Sequence, residues 1–222
     1  MPGPAPPLPF PPPVVRIISL AGSPRLAHMR ASWESRFPDV RVFSAVRGRD
    51  LADDDPRISA SMFRRLRVRA FKSPFSIGVN AILMQNKAQL GCALSHIGLW
   101  TEVVRTKQPA IVVEDDVVLD PTVSRSQILR ECTSDFVALL HNTFSWRSPR
   151  LTANAARFWG MQAYFITPAA ARILVDRALP CDMHIDRYVA TMAVRVGADW
   201  RLAKLAFREI GASTLDHATT RQ

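Results

Sequence analysis

The chain has few cysteines, few glycines and almost no lysine, and each scarcity removes a class of protein. Its three cysteines, Cys92, Cys132 and Cys181, stand far apart with no metal or redox spacing, and an odd number cannot all pair within the chain. That pattern excludes a disulfide scaffold and fits a reducing compartment. No glycine-rich phosphate loop precedes any helical stretch, which sets aside the usual loop of phosphoryl-transfer enzymes. No run reaches the roughly 18 uninterrupted apolar residues of a membrane span. The best, residues 110–119, carries three acids. The formal charge of +10 is mostly arginine, with only four lysines, and it is spread along the whole chain. Between Arg64 and Arg69 no aromatic interleaves with the basic residues, and there is no zinc or helix-turn-helix signature, so specific nucleic-acid recognition is not expected.

What is present is a globular chain. A length of 222 residues suits one domain with a full core, and 48% hydrophobic with 22% charged residues excludes general disorder. Residues 1–13 alternate proline with small and apolar residues, which reads as a flexible, partly polyproline II tail ahead of a single domain over 14–222. That tail lacks the cationic start and helical apolar region of a secretion signal, so the expected location is the cytoplasm, with peripheral membrane contact left open.

Val14 to Leu20 is a β-branched run closed by Ala21-Gly22-Ser23-Pro24, which predicts a buried strand and a turn. A helix near Arg25 to Phe37 and a strand at Val40 to Ala45 follow. Gln85 to Val104 predicts a long helix, because Leu90, Leu94, Ile97, Leu99, Trp100, Val103 and Val104 recur near the 3.6-residue period. Ala110 to Val113, Phe136 to Leu140 and Ala163 to Ile166 are continuously apolar, as strands covered on both faces are. Thr167-Pro168 offers a cap and first turn for a helix over 169–178. Asp182 is placed to cap a last helix that Gly197 stops. Alternating strands and helices give an α/β class with a mostly parallel, Rossmann-like sheet flanked by helices.

Glu114-Asp115-Asp116 stands where the strand over Ile111 to Val113 emerges, and ligands of open α/β sheets gather at the carboxyl ends of strands. Three adjacent carboxylates repel one another, and beside an apolar strand their desolvation is expensive unless a cation or strong donors compensate. Manganese and magnesium prefer oxygen ligands, and one or two carboxylates with phosphate oxygens and water complete their shell. That chemistry describes a nucleotide diphosphate held through a metal. The other reading is an acidic loop in water that merely ends strand pairing.

Four blocks then resemble glycosyltransferase family 25. They are Ile17-Ile18-Ser19-Leu20 with Arg25 and Arg30; Phe43-Ser44-Ala45-Val46-Arg47-Gly48; Leu90-Gly91-Cys92-Ala93-Leu94-Ser95-His96-Ile97 through Trp100, followed by Val112-Val113-Glu114-Asp115-Asp116-Val117; and Gly160 to Ile166 with Ala170 and Pro180-Cys181-Asp182. Gln89, Ala163 and Ala169 depart from the family pattern, and the chain after about Asp199 matches it poorly. The resemblance implies a GT-A type fold and transfer of a hexose, galactose before glucose, from a UDP-sugar to a saccharide or a hydroxylysine-type protein acceptor. Relatives include proteins of large DNA viruses, which for a viral chain would mean the host-cell cytoplasm or the virion.

By the same resemblance Asp116 binds Mn2+ or Mg2+, Asp115 faces the ribose or the metal, and Glu114 approaches the donor sugar. Leu20, Ala21, Gly22 and Arg25 contact uracil and ribose. Ser95 and His96 border the donor site or fix the acidic loop, and His217 is the candidate for a further metal ligand. Inverting transfer needs a base for the acceptor hydroxyl, and Asp182 and Asp186 are the candidates. Each has a plainer role open to it: Asp182 as a helix cap and Asp186 as a surface partner of Arg187. Arg64, Arg65, Arg67, Arg69 and Lys72 are either a diphosphate or acceptor grip or a solvated face, and Trp159 either stacks on a sugar or belongs to the core. Two rivals stay open: an inactive relative that only binds nucleotide sugars or polyanions, and a basic nucleic-acid-binding protein.

Overall fold

A computed structural model describes residues 10–62, 87–133, 136–141, 160–198, 201–203, 205 and 207–209. Among the described residues eight strands form: β1 (Val14–Ser19), β2 (Val40–Ser44), β3 (Ala110–Glu114), β4 (Val117–Leu119), β5 (Val137–His141), β6 (Ala163–Ile166), β7 (Arg201–Leu202) and β8 (Phe207–Glu209). The helices are α1 (Leu26–Glu34), α2 (Lys87–Thr106), α3 (Arg125–Glu131), α4 (Pro168–Val175) and α5 (Ile185–Val196). Six strands make one sheet in the order β2-β1-β3-β6-β5-β7, and β4 pairs with β8 in a separate ribbon.

The β1–β2, β1–β3 and β5–β7 pairs are parallel, whereas β6 runs antiparallel to both β3 and β5. One reversed strand in a mostly parallel sheet is the detail that sequence pattern does not carry. A strand buried on both faces is apolar throughout whichever way it runs.

Alternation along the strands divides the core. Ile18, Val112, Tyr164, Ile166, Val137 and Leu139 face α2, α4 and α5. Val15, Ile17, Ile111, Val113, Ala138, Leu140 and Phe165 face α1, α3 and Phe207 of β8. Phe10 stacks on Phe165 at 5.0 Å between centroids, so packing begins before β1. Arg16 is the exception in this apolar strand, and its guanidinium reaches Glu102 of α2 at 2.7 Å.

Caps explain four of the helix ends. Thr167 accepts the Ala170 N–H with Pro168 at the first position of α4, and Gly197 ends α5 at φ 62°. Asp182, expected to cap α5, does not. The helix starts three residues later, and His184 accepts the Asp186 N–H as its cap. Helix α3 carries a reciprocal capping box between Ser124 and Gln127 that the sequence reading passed over.

Two glycines account for the closest contact between sequence blocks. A Cβ on Gly91 of α2 would lie 2.5 Å from the Val46 carbonyl oxygen and 2.6 Å from the Gly48 nitrogen. Backbone meets backbone there, which fixes the segment after β2 against the first turns of α2. Ser95 completes the joint, accepting the Val46 N–H at 2.8 Å and donating to the Gly91 carbonyl at 2.6 Å.

Candidate active site

From β1 the chain crosses through α1 to β2 on one side, while β3 lies on β1's other side. Helices α1 and α2 therefore pack on opposite faces of the sheet. Strand order reverses at β1 and β3, and a crevice opens at the carboxyl ends of such a pair. The turn Leu20 to Ser23 leaves β1 at that point, closed by the Ser23 N–H on the Leu20 carbonyl at 3.0 Å. Gly22 holds φ 79° in its third position, which this turn demands of glycine, and no atom lies within 4 Å of where a Cβ would stand.

Asp115 spans the two strand ends. Its Oδ2 accepts the Ser19 hydroxyl at 2.7 Å and its Oδ1 accepts the Arg25 guanidinium at 2.6 Å. The second acid thus fastens the β1–α1 turn to β3, with a charge-assisted bond at its outer end. Arg47 reaches the Ala21 carbonyl at 3.4 Å, which sets a second guanidinium beside the same turn.

Glu114 faces the other way. Its Oε1 contacts the Nε2 of His96 at 3.2 Å, and the Nδ1 of His96 contacts the Tyr164 hydroxyl at 2.9 Å. Trp100 donates to that same hydroxyl at 2.8 Å. A carboxylate only accepts and an indole only donates, so on a neutral imidazole Nε2 carries the hydrogen and Tyr164 donates to Nδ1. A buried relay from Trp100 through Tyr164 and His96 aims Glu114 out of the core. The Cys92 thiol also approaches Oε1, at 3.9 Å. Burial first, and then the charges of Glu114, Asp186 and Asp116, push that thiol well above its ordinary range.

Asp116 is the acid left without a counterpart. Its Oδ1 is buried and accepts no hydrogen bond. Burial first, and then the charge of Glu114, raise its carboxyl to about 7, against the pull of Arg25. A buried carboxylate oxygen with no donor, beside two more acids, is the arrangement a divalent cation relieves. The donor set of carboxylate oxygens suits a hard ion such as manganese or magnesium.

The two candidate bases, Asp182 and Asp186, part company. Asp186 is buried in the first turn of α5, where its Oδ2 accepts the Gly160 N–H at 2.8 Å and lies 3.7 Å from His184 Nδ1. Desolvation raises its carboxyl, and the charges of Glu114 and His96 reach it, which places it on the Glu114 side of the site. Asp182 is exposed ahead of the helix and, among the described residues, forms no hydrogen bond or ion pair. Asp186 is thus a buried neighbour of Glu114 and no surface partner for Arg187. Ser95 spends both hydrogen-bonding roles on the Val46–Gly91 joint, away from the acids. His217, Trp159, Arg64, Arg65, Arg67, Arg69 and Lys72 lie outside the described residues.

A family model described as glycosyltransferase family 25 (LPS biosynthesis protein) matches residues 13–189. The chain belongs to glycosyltransferase family 25. A curated relative from Aedes aegypti, "Glycosyltransferase 25 family member", is 25% identical over 169 residues, covering 69% of this chain and 26% of its own length. The chain therefore spans about a quarter of that relative. Mouse xyloside xylosyltransferase 1, in an apo crystal structure, is similar at a TM-score of 0.36 and 9% identity, covering 85% of this chain and 71% of its own. The helix-flanked, mostly parallel α/β sheet is the fold class that the sequence pattern predicts. Among the described residues no helix is long and apolar enough to cross a membrane.

Four residues at or beside the acids escaped sequence reasoning. Ser19, Tyr164 and Trp100 all lie inside motif blocks, but only their polar atoms join the site. The available signal was a hydroxyl at a position that strand periodicity buries, since a buried polar group requires a partner. Cys92 gave no signal at all, because a thiol passes for an ordinary core residue.

Proposed function

We propose that the protein is a metal-dependent, inverting glycosyltransferase that moves a hexose, galactose in the first instance, from a UDP-sugar to a hydroxyl of a saccharide or hydroxylysine-type protein acceptor. The observation that carries this reading is the buried, unpartnered oxygen of Asp116 beside Glu114 and Asp115, at the carboxyl end of β3. Asp116 is the residue that would hold Mn2+ or Mg2+, with His217 as a further ligand. Bound there, the ion would neutralise charge on the departing diphosphate.

The protein's own groups divide the remaining work. The turn Leu20 to Ser23, open above Gly22, receives the uridine, and Asp115 keeps that turn and Arg25 in place. Arg25 and Arg47 add positive charge on the diphosphate side. Glu114, aimed by His96, meets hydroxyls of the donor sugar as an acceptor. Of the two candidate bases Asp186 is the better, because desolvation makes its carboxylate the stronger base and it neighbours Glu114. Asp182 is exposed, ahead of α5.

The test is a panel of UDP-sugars against the full chain, with and without manganese, read as thermal stabilisation and as release of UDP. Ligand that binds only the native state raises the melting temperature by linkage. Stabilisation by UDP only when manganese is present, and turnover with one UDP-hexose, supports the proposal. Indifference to every nucleotide sugar at millimolar concentration with manganese ends it.

A further inference from the structure

We infer that Cys92, His96 and Glu114 form a second cation site, one for a soft divalent ion of the zinc class, distinct from the hard-ion site at Asp116. Cys92 Sγ, His96 Nε2 and a Glu114 oxygen all lie within 4.8 Å of one another. His96 lies 3.2 Å from Glu114 and Cys92 lies 3.9 Å from it. Zinc bonds of about 2.1 Å to nitrogen and oxygen and about 2.3 Å to sulfur place tetrahedral neighbours roughly 3.3 to 3.6 Å apart. The two contacts to Glu114 therefore lie within a few tenths of an ångström of such spacings, and the Cys92–His96 pair lies within 4.8 Å.

The surroundings are those of a metal-binding histidine. Cys92 and His96 are four residues apart on α2, so one helix face presents both. His96 is fully buried, and its far nitrogen meets the Tyr164 hydroxyl, itself held by Trp100. Such a partner on the second nitrogen fixes a ligating imidazole. Among the described residues no lysine or arginine pairs with Glu114, so a cation there displaces no existing ion pair.

Proton balance is simple. Zinc takes the Cys92 sulfur as thiolate, and that proton leaves to solvent. The imidazole hydrogen moves from Nε2 to Nδ1, where Tyr164 oxygen accepts it alongside the Trp100 N–H, using its two lone pairs. Water fills the fourth position. A sulfur ligand is what separates this site from that of Asp116, since manganese and magnesium favour oxygen. Zinc here would also take Glu114 from the donor sugar, a consequence that rests on the transferase reading, whereas binding is measured without donor or acceptor.

The experiment is titration of the chelator-treated full chain with Co2+, and then displacement by Zn2+. One equivalent of cobalt is expected to give tetrahedral visible bands with a near-ultraviolet thiolate-to-cobalt charge-transfer band, all erased by zinc. Cys92→Ser should abolish the charge-transfer band and weaken zinc at least tenfold, while its melting temperature with chelator stays that of wild type. Asp116→Asn should retain the cobalt spectrum. Octahedral cobalt bands with no sulfur contribution, or a charge-transfer band that survives Cys92→Ser, would overturn the inference. Loss of the spectrum in Asp116→Asn would overturn it equally, by making the two sites one.

Discussion

Replacing Asp116 with asparagine keeps the side chain's shape and removes a charge that the fold holds at a loss. Burial and Glu114 raise this carboxyl from 3.8 to about 7. The folded value lies above the unfolded one, so the contribution of its proton to stability is complete below about pH 4 and is lost as pH rises toward 7. Three pKa units correspond to about 4 kcal/mol, and solvent screening of a partly exposed side chain reduces that to about 2 kcal/mol. Metal-free at pH 8, Asp116→Asn should therefore be more stable than wild type by about 2 kcal/mol, roughly 4–8 °C in a domain of this size. At pH 5 the gap should fall to about a third, in proportion to how far pH exceeds the unfolded value. Manganese should reverse the order, stabilising wild type and leaving the variant unmoved. Transfer by the variant should drop by about a thousandfold or more, about 4 kcal/mol in the transition state. Scanning fluorimetry at both pH values, with and without manganese, and UDP release together decide the matter. An asparagine variant that melts below wild type at pH 8 without metal, or still responds to manganese, would refute the reasoning.

Gly91→Ala should lower stability by about 1–3 kcal/mol, read as a lower urea midpoint with an unchanged slope, because the new methyl meets backbone of Val46 and Gly48 that cannot step aside; wild-type stability would show that the segment after β2 yields. Glu102→Ala should cost about 2–3 kcal/mol by leaving the Arg16 guanidinium buried and unpaired, and Arg16→Met with Glu102→Leu should recover most of it; equal losses in both variants would mean that packing and not charge dominates. Asp186→Asn should lower transfer at least a hundredfold with the melting temperature little changed, while Asp182→Asn stays within about twofold. The reverse ranking of rates would move the base to Asp182.

Much of the fold was legible because burial leaves a periodic trace. The spacing from Leu90 to Val104 gave α2, the continuous apolar runs gave β3, β5 and β6, and Thr167-Pro168 and Gly197 marked helix ends by local backbone chemistry. The strands of two or three residues, β4, β7 and β8, left no such trace, since periodicity needs more than one repeat. Asp182 was misread for a related reason. It has the right residue type for a cap, but the helix begins only where the chain can pack, at Ile185, which makes His184 the capping residue.

By itself the sequence determined that three acids would emerge from a covered strand, because residue type and spacing carry that information. The tertiary structure alone decided how those acids differ. Asp115 is bound to Ser19 and Arg25, Glu114 is aimed by a relay from Trp100, and Asp116 is left with a buried oxygen and no donor. Neighbours in sequence acquire separate roles here because β1, α1, α2 and β6 each bring a different partner across a distance that no local pattern records.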